Sequence, residues 1–340
     1  MKLLNPLFTL PFLCIAAACS RNPSVLQDPA GPHAEITGKL FRYFFAVNGV
    51  IFLLVLGFLF FALWRRRERQ LVAPLQPDAQ GEKRLLTGVV IAVSLTIIVL
   101  TSFVILSYAV DKNLIGLDKN PALEIEITGH QWWWEVRYLS KTPSDVFTTA
   151  NEIHVPLNTK IRLILKSSDV IHSVWFPNLA GKRDIIPGHD QDLFIRVDKE
   201  GTWQGRCGEF CGMQHAFMGL TLFAEPKPAF EAWEKAQRLP AEEPQSAEEK
   251  HGKEVFTTGA CAMCHVIRGT DSTGYSSNAP DLTHLKSRAT IGAGAAANTK
   301  GDLGGWILDP HGIKPGVHMP TISQEPQDFQ ALLSYLETLK

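Results

Sequence analysis

Between two stretches of strand-like sequence lies Cys207-Gly-Glu209-Phe-Cys211-Gly-Met-Gln-His215-Ala-Phe-Met218. Two thiols, an imidazole and the Met218 thioether fall within twelve residues. Thiolate and thioether are soft ligands and imidazole is borderline, a set that suits copper. A blue-copper loop needs one Cys with His and Met. Here a second Cys stands four residues before the first, so two thiolates could bridge two metal ions. A second ion needs a second imidazole. His172, in Ser167-Ser-Asp-Val-Ile-His172-Ser, follows a predicted strand and is the best candidate. A plain disulfide between Cys207 and Cys211 would leave His172, His215 and Met218 without a purpose. A zinc site would leave Met218 idle.

Outward from this loop, residues 122–224 read as strands. Leu123, Ile125 and Ile127 alternate with Glu124, Glu126 and Thr128, and Ile161, Leu163 and Leu165 with Arg162, Ile164 and Lys166. Period-2 runs of this kind mark half-buried strands. Shorter runs at 152–156, 192–198, 202–206 and 219–224 are separated by Pro, Gly and Asn, which suggests a sandwich or Greek-key barrel. Residues 227–247, with Pro228, Pro240 and Pro244 among Glu, Ala, Lys and Gln, read as a linker with a helical turn around 229–238.

Residues 248–340 read as a helical domain. Phe329, Leu332, Leu333, Leu336 and Leu339 give an amphipathic terminal helix. Two or three helices with much irregular chain make a thin core, which a prosthetic group would complete. Cys261-Ala-Met-Cys264-His265 is the attachment signature of a c-type haem: two thiols for the vinyl groups and an adjacent imidazole for the iron. Met319, the only Met after that signature, precedes Pro320 and is the candidate sixth ligand. A Met/His pair raises the potential, as electron transfer requires. His284, His311 and His318 are the other available ligands.

Toward the N-terminus the chain changes solvent. Residues 3–19, after Lys2 and ending in Ala16-Ala17-Ala18-Cys19, read as a secretory signal of ordinary or lipoprotein type. Residues 35–111 read as a transmembrane hairpin. Tyr43–Trp64 and Leu85–Val110 are uncharged runs of 22 and 26 residues, each beyond the roughly 20 needed to span a bilayer. The connection carries Arg65, Arg66, Arg67, Arg69, Lys83 and Arg84. Positive loops stay inside, so the parts at 120–226 and 248–340 are expected on the periplasmic face of a bacterial plasma membrane, in contact with lipid through the hairpin. The whole chain has 340 residues with 33 Lys+Arg against 34 Asp+Glu. No global field recruits nucleic acid, and the six Cys do not form a disulfide-rich pattern.

The order hairpin, strands, Cys-x-Glu-x-Cys-x3-His-x2-Met loop closely resembles subunit II of haem–copper cytochrome c oxidases, over roughly residues 35–228. The resemblance implies a cupredoxin-like barrel with a binuclear CuA centre. Cys207 and Cys211 would bridge the coppers, His172 and His215 would each bind one, Met218 would be a weak ligand, and Glu209 would offer its backbone carbonyl. Gly129-His130-Gln131-Trp132-Trp133-Trp134 resembles the family's aromatic segment, in which the Trp at the position of Trp132 receives electrons. Asp184-Ile-Ile-Pro187-Gly188 resembles the stretch beside the catalytic subunit. The Met319-Pro320 loop resembles that of class I cytochromes c.

The fold class that follows is multidomain: a two-helix membrane hairpin, an all-β cupredoxin-like Greek-key barrel and an all-α cytochrome c domain. The implied function is passage of electrons from haem c to CuA and on to a catalytic subunit I that reduces dioxygen with proton translocation. Neither apolar run contains the His residues which that reduction needs. Other oxidase subunits, a cytochrome c or another periplasmic donor, and a magnesium ion at the subunit interface are also implied. Glu82, at the start of the second apolar run, has two readings: a match to the family's carboxylate at a proton-uptake entrance, or a loop charge beside Lys83 and Arg84. Acidic residues that dock a soluble cytochrome are usual after the aromatic segment, but Glu135-Val-Arg137-Tyr-Leu-Ser-Lys141 stands here, which fits a haem supplied in cis. The competing classes are a periplasmic copper chaperone or thiol oxidoreductase, whose second Cys is usually followed by Pro rather than by Gly212, and a CuA-containing nitrogen-oxide reductase.

Overall fold

The computed structural model describes residues 28–66, 79–117, 120–272, 274 and 279–340. The signal reading at 1–19, Cys19, Arg67 and Arg69 lie outside the described residues. The chain divides into two units, Glu35–Lys119 and the remainder.

The first unit is helical. Helix α1 spans Pro32–Arg66 and α2 spans Ala79–Leu117. Both run past the uncharged stretches at 43–64 and 85–110, because nothing in the flanking sequence breaks a helix and Glu35 pairs with Lys39 one turn on, at 2.7 Å. The central windows have mean hydropathies of 2.6 and 2.9, and none of their side chains is buried within the molecule. A helix apolar on all sides has the chemistry of a membrane span. Its polar residues fit that solvent: Thr87, Thr96 and Ser102 hydroxyls return to the carbonyls of Lys83, Ala92 and Val99.

The second unit holds a β-sandwich and a helical domain. One sheet has strand order β3-β2-β1-β5-β8, built from β1 Leu123–His130, β2 Trp133–Tyr138, β3 Phe147–Ala150, β5 Ile161–Ser167 and β8 Gln191–Ile195. The other has order β4-β10-β9-β6-β7, from β4 Glu152–Pro156, β6 His172–Trp175, β7 Arg183–Ile185, β9 Gly201–Cys207 and β10 Gly219–Glu225. Among the ladders of the two sheets, pairs β1/β5 and β4/β10 are parallel and the rest antiparallel, so the chain crosses over between the parallel strands instead of running as a simple meander. The alternation read from sequence is the one that folds: Ile125, Ile127, Ile161, Leu163 and Leu165 are fully buried. On the outer face Arg162 forks onto Asp192 at 2.9 and 3.0 Å and reaches Glu124 at 3.1 Å.

Two features depart from the sequence reading. Residues 28–34 form a strap on the barrel, with Ala30 N–H donating to Asn178 O and Ala30 O accepting from Asp198 N–H. A Cβ at Gly31 would stand 2.1 Å from Arg196 O, so only glycine fits there. The stretch expected as a linker begins with a full helix, α3 Lys227–Gln237. Its Phe230 and Trp233 pack on Tyr138, and Trp233 stacks on His154 at 4.1 Å. The apolar spacing of these two aromatics outweighs the prolines at 226 and 228, which only open the helix.

The helical domain contains α4 Ala247–Thr258, the short hairpin β11 Thr290–Ile291 and β12 Ala296–Ala297, α5 Lys300–Leu308, α6 Pro310–Ile313 and α7 Pro326–Leu336. Ser246 and Glu249 form a capping box at the start of α4. Helices α4 and α7 cross where Gly252 meets the Ala331 carbonyl; a Cβ there would lie 2.0 Å from that oxygen. Phe256 meets Tyr335 edge-on across the same crossing.

Candidate metal centres

The loop between β9 and β10 and the start of β6 converge at one end of the sandwich. Cys207 closes β9, and His172 opens β6, its neighbour in the sheet. Cys207 Sγ lies 3.7 Å from Cys211 Sγ and 3.9 Å from His172 Nδ1. Cys211 Sγ lies 3.7 Å from His215 Nδ1 and 3.8 Å from Met218 Sδ. The Glu209 carbonyl is 3.2 Å from Cys207 Sγ, while its carboxylate points away to Lys182 at 3.0 Å. Tetrahedral ligation with bonds of about 2.2 Å gives donor–donor edges of about 3.6 Å, so the spacings here match those of metal ligands. His172, Cys207, Cys211 and Met218 are buried and His215 is half-buried.

The environment prepares these donors. His172 donates from Nε2 to Asp169 Oδ1 at 2.7 Å, which leaves the Nδ1 lone pair facing Cys207. Burial works against charge on His172, but Asp169 and Cys207 outweigh it and raise its basicity. Burial likewise opposes the Asp169 charge; the bonds from His172, Val170 N–H and Gln131 N–H prevail and lower its pKa. Between the two thiols, Cys207 gives up its proton first. The contact with Cys211, helped by His172, holds it well below the ordinary thiol range against the effect of burial. Cys211 is correspondingly raised.

Trp132 sits at the tip of the β1–β2 hairpin. Its indole N–H donates to the Cys211 carbonyl at 3.0 Å, and the Gln131 side-chain amide donates to the same oxygen at 2.7 Å. Trp134 is core and packs edge-on against His172. Gly129 makes room for that imidazole: a Cβ there would stand 2.8 Å from His172 Cδ2. The Asp184–Gly188 stretch pairs with β6 through Ile185 and His172, and leaves Ile186 exposed.

The haem signature lies in a 3-10 turn directly after α4. His265 donates from Nδ1 to Pro280 O at 2.8 Å, which fixes the tautomer with a free lone pair on Nε2, the one an iron requires. Burial lowers the basicity of His265, the bond to Pro280 acting the other way. Met319 is half-buried against the domain's apolar core. His284 is committed elsewhere, its ring nitrogens facing the carbonyls of Lys340 and Leu239. His311 is exposed on α6, and the His318 ring lies 5.7 Å from that of Trp132.

Three residues at this end escaped the sequence reading. Asp169 and Gln131 support the Cys207–Met218 donor cluster as described. Lys314 is buried, and its ammonium donates to the carbonyls of Trp132, Phe217 and Gly292, each at 2.8 Å. Burial pulls its pKa down to about 7, with the Cys211 charge acting the other way.

The donor cluster on a β-sandwich and a haem signature in a small helical domain define an electron-transfer protein of the copper- and haem-carrying class. Residues 137–224 match the family model for the periplasmic domain of cytochrome c oxidase subunit II, and residues 249–340 match that for cytochrome c. Cytochrome c oxidase subunit 2 of Alkalihalophilus pseudofirmus is 29% identical over 322 residues, 92% of this chain and 90% of the relative. That of Branchiostoma floridae is 33% identical over 43% of this chain and 68% of the relative. Among solved structures, the periplasmic domain of subunit II of cytochrome oxidase (CoxB) of Bradyrhizobium japonicum is 29% identical, covering 36% of this chain and 96% of that one, with a TM-score of 0.34.

The chain belongs to the cytochrome c oxidase subunit 2 family and carries a cytochrome c domain at its C-terminal end. It is thus a subunit of an oxidoreductase complex, partnered by other oxidase subunits. The two apolar helices and the family together fit a membrane protein with a periplasmic domain. The first domain implies copper and the second implies haem.

Proposed function

We propose that this chain is the subunit through which electrons enter a bacterial terminal oxidase, carried from a covalent c haem to a binuclear copper centre and on to the catalytic subunit that reduces dioxygen. The observation that supports this reading is the pairing of donors: each thiol has its own imidazole at 3.7–3.9 Å, and the two sulfurs are 3.7 Å apart. We assign Cys207 and Cys211 as bridging ligands, His172 and His215 as one imidazole for each ion, and Met218 and the Glu209 carbonyl as weak ligands. Bound there, the copper pair supplies one-electron carriage shared between two ions.

The protein's own part is to hold six donors fixed. Asp169 orients His172, Trp134 and Gly129 shape its slot, and Trp132 with Gln131 anchors the Cys211 carbonyl. A rigid donor set limits ligand motion when the charge changes. In the helical domain Cys261 and Cys264 would hold a haem through its vinyl groups, and His265 Nε2 and Met319 are assigned as the residues that would bind its iron. Trp132 is assigned to electron passage, its indole being bonded to the Cys211 carbonyl and its ring lying 5.7 Å from that of His318. By the positive-inside rule Arg65, Lys83 and Arg84 are assigned to the cytoplasmic side of an inner membrane and residues 120–340 to the periplasmic side, where a cytochrome c or another donor would meet them. Exposed Val170, Ile171, Ile186 and Phe210 beside the copper loop suit a subunit interface.

The test is Cys207→Ser and Cys211→Ser, each in the assembled oxidase. Either change should abolish the binuclear copper absorption and dioxygen consumption while leaving the c-haem bands in place. Retention of the copper spectrum, or loss of copper and haem spectra together, would contradict the assignment.

A further inference from the structure

A linker alone would leave the haem domain free to sample many orientations on the copper domain. The two are instead joined by a polar contact centred on Lys314. It lies in Gly312-Ile-Lys314-Pro-Gly316, just after α6, and is 1% exposed. All three ammonium protons are used, on Trp132 O and Phe217 O of the copper domain and Gly292 O of its own domain. A buried ammonium with only carbonyl partners is poor evidence for added stability, but it is demanding of geometry. Moving one domain on the other takes Trp132 O and Phe217 O from the ammonium, and an arrangement that kept these groups buried would leave them unpaired.

Independent contacts surround this point. Glu152 Oε1 on β4 accepts from the N–H groups of Ala289 and Thr290 at 2.8 and 3.1 Å. The Gln214 amide donates to Pro315 O at 2.6 Å. Gly219 N–H donates to Ala293 O at 3.0 Å, an approach that leaves no room for a Cβ at Gly219. The bonds of Lys314 fall on residues touching the copper loop from both sides. Trp132 is bonded to Cys211, and Phe217 precedes Met218. Four residues beyond Lys314 come His318, against the Trp132 ring, and then Met319.

We propose that Lys314 is a positioning residue, whose ammonium clamps the loop bearing His318 and Met319 onto Trp132 and the copper loop and so fixes one docked arrangement for electron transfer. The clamp rests on the route proposed above, in which one electron leaves the reduced haem and is taken up by the oxidised copper pair. Transfer falls off exponentially with separation, so a single close arrangement outruns a search by a loosely tethered domain.

The test uses the full chain in the assembled oxidase with both cofactors, comparing Lys314→Met and Glu152→Ala with the unaltered protein. Two quantities are read: amide hydrogen exchange at Ala289, Thr290 and Gly219, none of which donates to Lys314, and the rate of haem-to-copper transfer after rapid reduction of the haem. Lys314→Met should speed exchange at all three amides and slow transfer by about tenfold or more, with both spectra unchanged. Should Lys314→Met fail to fold, Glu152→Ala carries the test through the Gly219 amide and the same rate, both shifting in the same directions. Unchanged exchange would overturn the clamp. Faster exchange with an unchanged transfer rate would overturn its positioning role. An unaltered protein with protected amides but no haem-to-copper transfer would overturn the route and the positioning role together, leaving only the domain contact.

Discussion

Asp169 shows how a single carboxylate can orient the proposed ligand His172 from outside the donor set. It takes the Nε2–H of His172 and the backbone N–H of Gln131, so one side chain ties the imidazole to the aromatic hairpin. Replacing Asp169 with Ala should lower copper affinity by about 10–100-fold and leave the c-haem spectrum intact, as a copper titration monitored by absorbance would show. Tyr335 gives a pH dependence in the other domain. Burial raises its phenol to about 12. Its neutral form is the one the folded state keeps, so the contribution is complete below the ordinary value near 10 and is lost as pH rises toward and through about 12. Denaturant unfolding between pH 9 and 12 should lose about 1.4 kcal/mol per unit of that shift relative to Tyr335→Phe, which lacks the titration. At this scale the clustering of Cys207, Cys211, His215 and Met218 was legible because the four share one loop. Asp169 and Lys314 were not, since a lone carboxylate or lysine acquires meaning only from the carbonyls and imidazoles that the fold brings to it.

Elements carry a different kind of information. The strand alternation at 123–127 and 161–165 reported burial directly, because one face of each sheet is core and the other is solvent. Strand β4 carried no such alternation: all five residues are buried, one face by the barrel and the other by Trp233 and the helical domain. Helix α3 was legible only as a turn, since its helical character depends on Phe230 and Trp233 finding Tyr138. At the α4–α7 crossing, Gly252→Ala would drive a methyl group into the Ala331 carbonyl. Loss of about 1–3 kcal/mol or more is expected in denaturant titrations followed by the haem band, from overpacking at a backbone contact. Ser246→Ala removes the capping box and should lose about 1 kcal/mol in the same assay.

For the molecule as a whole, the sequence disclosed three chemistries in order: lipid-compatible helices, a copper loop on strands, a haem signature among helices. Each is a local pattern and therefore readable along the chain. What joins the last two is not local. Lys314, Glu152 and Gly219 are separated by up to 162 residues in sequence, and their shared interface exists only because β4, β10 and the β11–β12 hairpin meet. The central claim is that the copper loop holds a pair of metal ions beside one covalent haem. The most direct measurement is copper and haem content per chain of the purified full-length protein, with the copper read by electron paramagnetic resonance. The expected result is two coppers and one haem per chain, with a single unpaired electron shared by both coppers in the oxidised protein. One copper or none per chain, or the signal of an isolated cupric ion, would contradict the account.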